Sequence, residues 1–153
     1  MDSLFNTVLA IKNLDHLQEV ATYISQYTRR GDIIFLEGPL GAGKTTFSRF
    51  FIQSLVEEKI DVPSPTFNLV NVYETALYPL WHFDLYRLTH PEEIFQIGIE
   101  EALTNGVLLI EWPRQGYPLM PEPSLTLNFS LGSDPERFLE ITPHISWQER
   151  ANI

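Results

Sequence analysis

The stretch Ile33-Ile34-Phe35-Leu36-Glu37-Gly38-Pro39-Leu40-Gly41-Ala42-Gly43-Lys44-Thr45-Thr46 decides how this chain is read. Its four leading apolar residues predict a buried strand. Gly38 to Thr45 fits G-x-x-x-x-G-K-[ST], a loop that cradles phosphates. Beyond it Phe47, Phe50, Phe51 and Leu55 recur at helical spacing and predict an amphipathic helix to about Val56. The residue types follow from the ligand such a loop takes. A triphosphate concentrates negative charge and needs many donors at short range. Gly41 and Gly43 lack a Cβ, so the backbone can curl and aim its N–H groups inward. The loop opens onto a helix N-terminus, whose unpaired N–H groups and positive dipole end favour an anion. Gly38, Leu40, Gly41, Ala42 and Gly43 therefore line the cradle. Lys44 reaches the β- and γ-phosphates, Thr45 offers Mg²⁺ a hard oxygen, and Thr46 donates toward the α-phosphate.

Working outward toward the N-terminus, Phe5 to Ile11 predicts an edge strand. Asn13 predicts an N-cap, with Asp15 in the first turn and Leu14, Leu17, Ala21 and Ile24 on one helical face. That helix is expected to stop before Gly31, with Arg29 and Arg30 at its negative end. Toward the C-terminus, Pro63 and Pro65 around Ser64 predict an ordered, non-helical loop that includes Thr66. Leu69–Tyr73 and Leu80–Asp84 read as an antiparallel strand pair. Pro91, Glu92 and Glu93 open a short helix that breaks near Gly98, and a second covers Ile99 to Leu103. After the Asn105-Gly106 turn, Val107–Ile110 is continuously apolar and reads as a central strand buried on both faces. Leu125–Leu131 and Arg137–Ile141 predict a hairpin. The resulting fold class is α/β: a single P-loop NTPase domain over residues 1–145, three-layered around a central mixed, mostly parallel sheet. Residues 146–153 are expected to form a weakly ordered tail.

The 153 residues suffice for one domain with a real core, and a hydrophobic share of 44% excludes wholesale disorder. Ten Lys+Arg against 20 Asp+Glu give a net charge of −10. A nucleic-acid backbone demands a basic face, and none is visible. Any service to a nucleic acid would pass through another protein. With no Cys, disulfides, thiolate chemistry and Cys-based metal sites are excluded. No apolar run approaches the ~20 residues of a membrane span, and residues 1–5 do not resemble a secretion signal. A soluble, cytoplasmic protein without membrane association is the expectation.

A magnesium nucleotide needs carboxylates as well as the loop, and in open α/β sheets these come from strand ends that converge on the ligand crevice. Glu111 ends Val107-Leu108-Leu109-Ile110, and Asp84 ends Leu80-Trp81-His82-Phe83. Either acid could hold the metal or orient the attacking water; Asp84 could instead form a local pair with Arg87. Thr66 is the third candidate, in a loop placed where many P-loop proteins sense the γ-phosphate. His82, Trp81 and Trp112 read as packing residues. The Asn-Lys-x-Asp signature that reads guanine is absent, which favours ATP.

Four stretches in order, Gly38–Thr46, Ser64-Pro65-Thr66-Phe67, His82-Phe83-Asp84-Leu85-Tyr86-Arg87-Leu88 and Ile110-Glu111-Trp112-Pro113, resemble the TsaE family of small bacterial P-loop ATPases. That family belongs to the tRNA threonylcarbamoyladenosine modification system. The resemblance spans roughly residues 5 to 115. It implies slow ATP hydrolysis beside two partners, TsaB and TsaD, with tRNA engaged only through them. It assigns Lys44 to phosphate, Thr45 and Glu111 to Mg²⁺, Asp84 to the active-site acid and Thr66 to a switch-like loop, and it points to Asn13 near the nucleotide base. Pro39 stands where the family usually has Asp, and Arg114 where it usually has Glu. Two other classes compete: a small-molecule kinase passing the γ-phosphate to an acceptor, and a nucleotide-dependent switch without meaningful turnover. Thr89 to Gly106 contains no Lys or Arg, which argues against the basic lid a kinase of this size needs.

Overall fold

In the computed structural model, which describes residues 5–65, 68–148 and 150, seven strands form one sheet. In chain order they are β1 (Val8–Ile11), β2 (Ile33–Glu37), β3 (Val70–Glu74), β4 (Pro79–Asp84), β5 (Val107–Glu111), β6 (Leu125–Leu131) and β7 (Arg137–Pro143). Across the sheet the order is β1-β7-β6-β2-β5-β4-β3. The centre is parallel, with β2 between β6 and β5 and β4 beyond β5. Both edges are antiparallel, through the β3–β4 pair on one side and the β6–β7–β1 meander on the other.

Among the described residues, four helices, α1 (Leu14–Tyr27), α2 (Lys44–Leu55), α3 (Ile99–Asn105) and α4 (Ile145–Gln148), accompany the sheet with 3₁₀ turns at Pro91–Phe95 and Pro113–Gly116. Because a strand's side chains alternate between faces, β2 divides its apolar residues between two cores. Ile34 and Leu36 join Val20, Ile24, Phe47, Phe51 and Ile52 beneath α1 and α2. Ile33 and Phe35 join Phe83, Ile94, Ile99 and Ala102 beneath α3 and the first 3₁₀ turn. The result is the expected three-layer α/β domain. Phe47 and Phe51 are fully buried, each contributing about 1.5–3 kcal/mol in transfer from water. They hold α2, and with it the loop that opens it, against the sheet.

Several elements differ from the sequence reading, and β1 begins at Val8 rather than Phe5. Helix α1 stops at Tyr27, so Arg29 and Arg30 lie beyond its last turn. Arg30 instead reaches across to Asn105 and to the Leu77 carbonyl. The first short helix is a 3₁₀ turn, closed by a His90–Glu93 capping box. Beyond residue 145, Trp147 is fully buried, and Arg150 Nη2 donates to Asp32 Oδ1 at 2.7 Å. An apolar indole and a paired guanidinium tie this segment to the core, so a boundary at 145 does not describe Trp147 and Arg150. No helix among the described residues is long and apolar enough to cross a membrane.

Candidate active site

Strand β2 delivers the glycine-rich loop to the C-terminal edge of the parallel strands. Gly38 has φ +136° and Gly43 φ +117°, backbone conformations that favour glycine. A Cβ on Gly38 would stand 2.3 Å from the Phe129 carbonyl oxygen, so the loop's base lies directly on β6. Gly43 caps α2 without a side-chain hydrogen bond, which leaves the helix's first N–H groups without a side-chain acceptor. Lys44 Nζ donates to the carbonyls of Gly38 at 2.5 Å and Pro39 at 2.8 Å. The ammonium also lies 4.2 Å from the centre of the Trp112 ring. Burial lowers the Lys44 pKa, while the charges of Glu111 and Asp84 oppose that shift.

The two acids arrive on neighbouring parallel strands, with Asp84 of β4 in register with Glu111 of β5. Glu111 is 1% exposed. Its Oε1 accepts the Thr45 hydroxyl at 2.9 Å, and its Oε2 is 2.6 Å from His82 Nε2. Asp84 Oδ1 accepts the Tyr86 backbone N–H at 3.1 Å. Burial raises the Asp84 carboxyl above its usual value, and the Glu111 charge adds to this; the Tyr86 N–H, His82 and Lys44 pull the other way. Lys44, Thr45, Thr46, Ser64, Asp84 and Glu111 share the walls of a cavity of about 310 Å³. Both acids therefore face the cradle, as the strand-end argument requires. The hydroxyl and carboxylate oxygens of Thr45 and Glu111, with Asp84 beside them, are a donor set suited to Mg²⁺. Among the described residues no three His, Asp or Glu side chains form a metal cage.

Asn13 caps α1 as expected, its Oδ1 accepting the His16 N–H at 2.8 Å. It also lines a second cavity of about 380 Å³ on the opposite flank of the loop, with Gly41, Ala42, Gly43, Phe129 and Arg137 among its walls. Thr66 lies outside the described residues; Ser64 of the same loop reaches the first cavity. Arg114 turns its charge onto Glu37 at 2.9 Å, and Pro39 contributes a carbonyl to Lys44.

Sequence reasoning did not single out Phe129 and Arg137, and it reads Trp112 and His82 as packing residues, which both are. Arg137 Nε donates to the Gly41 carbonyl at 3.2 Å, and Phe129 approaches the loop only because β6 pairs with β2. No local signal announces either. Trp112, at φ +59°, folds its ring back over Lys44 and beside Tyr86, with ring centroids 4.9 Å apart. Its position directly after Glu111 was the available clue.

Comparison with known proteins agrees with this geometry. The family profile described as "Threonylcarbamoyl adenosine biosynthesis protein TsaE" matches residues 11–139. The tRNA threonylcarbamoyladenosine biosynthesis protein TsaE of Rickettsia felis is 37% identical over 139 residues, covering 91% of this chain and 81% of that protein. The Bacillus subtilis protein of the same description is 34% identical over 131 residues, covering 85% of this chain and 81% of its own. The crystal structure of Bacillus subtilis YdiB superposes with a TM-score of 0.74 at 26% identity, over 95% of this chain and 91% of YdiB. The chain belongs to the TsaE family of threonylcarbamoyladenosine biosynthesis proteins.

Proposed function

We propose that this chain is a Mg²⁺-dependent, slowly hydrolysing ATPase of the cytoplasm that acts as accessory to a TsaB–TsaD assembly in tRNA threonylcarbamoyladenosine modification. The observation that carries the reading is the Thr45–Glu111 contact at 2.9 Å, at the mouth of a glycine-rich loop. It joins the start of α2 to the end of β5, where a phosphate-bound ion needs hard oxygen ligands.

The geometry supports one set of roles. The loop's N–H groups bind the phosphate tail. Lys44 exchanges two backbone carbonyls for phosphate oxygens. Thr45 and Glu111 would hold Mg²⁺, which when bound supplies neutralising charge. Asp84 orients water and accepts its proton; a carboxyl raised by burial is better matched to that task than a solvated one. Of the described side chains lining the cavity, Lys44 alone is cationic. A partner that brings a further cation to this cavity would speed hydrolysis, in line with slow turnover by the chain alone.

The kinase alternative loses support from the segment between β4 and β5. Ile94, Ile99 and Ala102 are buried in the core, so this segment packs on the sheet and does not form a basic lid.

The test is a purified reconstitution. Phosphate release from ATP should require Mg²⁺, be slow for the chain alone and rise when TsaB and TsaD are added. Turnover that ignores those partners counts against the accessory role, and release without Mg²⁺ counts against the assigned site.

A further inference from the structure

Strand β4 places Leu80, His82 and Asp84 on the face toward α2, and β5 places Val107, Leu109 and Glu111 on the same face. Leu80, Val107 and Leu109 are buried and apolar there. His82, in register with Leu109, is just as fully buried, at 0% exposure. An imidazole in that place costs desolvation that a leucine would not. Its polar contact runs diagonally, from Nε2 to Glu111 Oε2 at 2.6 Å. Its Nδ1 has no hydrogen-bond partner among the described residues.

We propose that His82 is a positioning residue for Glu111. Its Nε2–H clamps one carboxylate oxygen so that the other is presented to Thr45 and the magnesium site. This inference rests on the nucleotide reading given above. A carboxylate oxygen accepts, so the ring nitrogen facing it carries the hydrogen. With the other nitrogen unpartnered, the ring has no competing anchor on the described residues. Glu111 is thus held from both sides, by the Thr45 hydroxyl at 2.9 Å and by the imidazole at 2.6 Å. The series His82, Glu111, Thr45 runs from the buried sheet to the first turn of α2. Outer partners of this kind fix the orientation of a metal-binding group, and losing one typically costs about 10- to 100-fold in metal affinity or activity.

The experiment has two arms. In the nucleotide-free wild-type protein, a long-range ¹H–¹⁵N spectrum of the histidine rings should show His82 protonated at Nε2 and bare at Nδ1. A ring protonated at Nδ1 alone overturns the proposal. In the second arm, binding of a non-hydrolysable ATP analogue is measured by calorimetry as Mg²⁺ is varied, for wild type, His82→Phe, His82→Gln and His82→Asn.

His82→Phe should raise the Mg²⁺ concentration needed for half-maximal binding about 10- to 100-fold, with Mg²⁺-free binding of the analogue unchanged. Gln, long enough to offer an N–H to Glu111, should recover most of the loss, and the shorter Asn should not. If the Phe variant fails to fold, the Gln–Asn comparison carries the test, and equal Mg²⁺ dependence in those two overturns the proposal. A folded Phe variant indistinguishable from wild type overturns this inference alone. Wild type that binds no magnesium nucleotide overturns the nucleotide reading with it.

Discussion

Asp84 shows at the scale of one residue how a proposed function and stability conflict. Burial holds its carboxyl above the ordinary value, so the folded chain binds this proton more tightly than the unfolded chain does. The stabilisation is complete below the unfolded value and is lost as pH rises through the folded value, leaving the ionised group a net cost at neutral pH. Asp84→Asn should therefore raise the melting temperature at neutral pH and flatten its fall from the ordinary carboxylate range up to neutral pH, while hydrolysis is lost. Thermal denaturation across that range, with a phosphate-release assay, checks both halves. Gly38 is constrained by shape: its φ of +136° and the 2.3 Å approach of a hypothetical Cβ to the Phe129 carbonyl leave no room for a side chain. Gly38→Ala should cost at least about 1–3 kcal/mol, read as a lower denaturant midpoint with an unchanged slope.

Among the elements, those that depend on neighbours in sequence were legible and those that depend on distant partners were not. Ile33–Leu36 and Val107–Ile110 announced themselves because strands buried on both faces must be apolar throughout, and β2 and β5 are such strands. The same pattern marks Glu111 as the residue where the strand meets the crevice. The β6–β7 hairpin was readable from its own alternation, but not its insertion beside β2, which brings Phe129 under the loop. The end of α1 was misread because Arg29-Arg30 look like a helix terminus, whereas Arg30 is held by Asn105 and the Leu77 carbonyl. Nothing local in residues 146–153 signals order, yet Trp147 of α4 is fully buried. Arg150 pairs with buried Asp32 and also donates to the Tyr27 carbonyl. Arg150→Ala would strand a buried carboxylate, a loss of about 3–5 kcal/mol. Asp32 and Gly38 flank opposite ends of β2, roughly 20 Å of extended chain apart. Calorimetry on the still-folded variant should thus find nucleotide affinity unchanged while the melting temperature falls.

For the molecule as a whole, the net charge of −10 governs what can be held directly. Counter-ion release from an RNA backbone needs a field of opposite sign. The isolated chain should give no salt-dependent complex with tRNA in a gel-shift assay, whereas a mixture with TsaB and TsaD should retain it. A complex with the chain alone would place an RNA-binding surface on an acidic protein and would require a different division of labour. One arrangement also equips the molecule for observation. The Lys44 ammonium rests on the Trp112 indole, whereas Trp81 stacks on Phe83 and Trp147 lies beside Arg150. A triphosphate tail entering the cradle would draw the lysine off its indole and leave the other two tryptophans in place. Ligand arrival should thereby register in the protein's own ultraviolet emission, and a stopped-flow trace on unlabelled material, with Trp112→Phe as its blank, would time it.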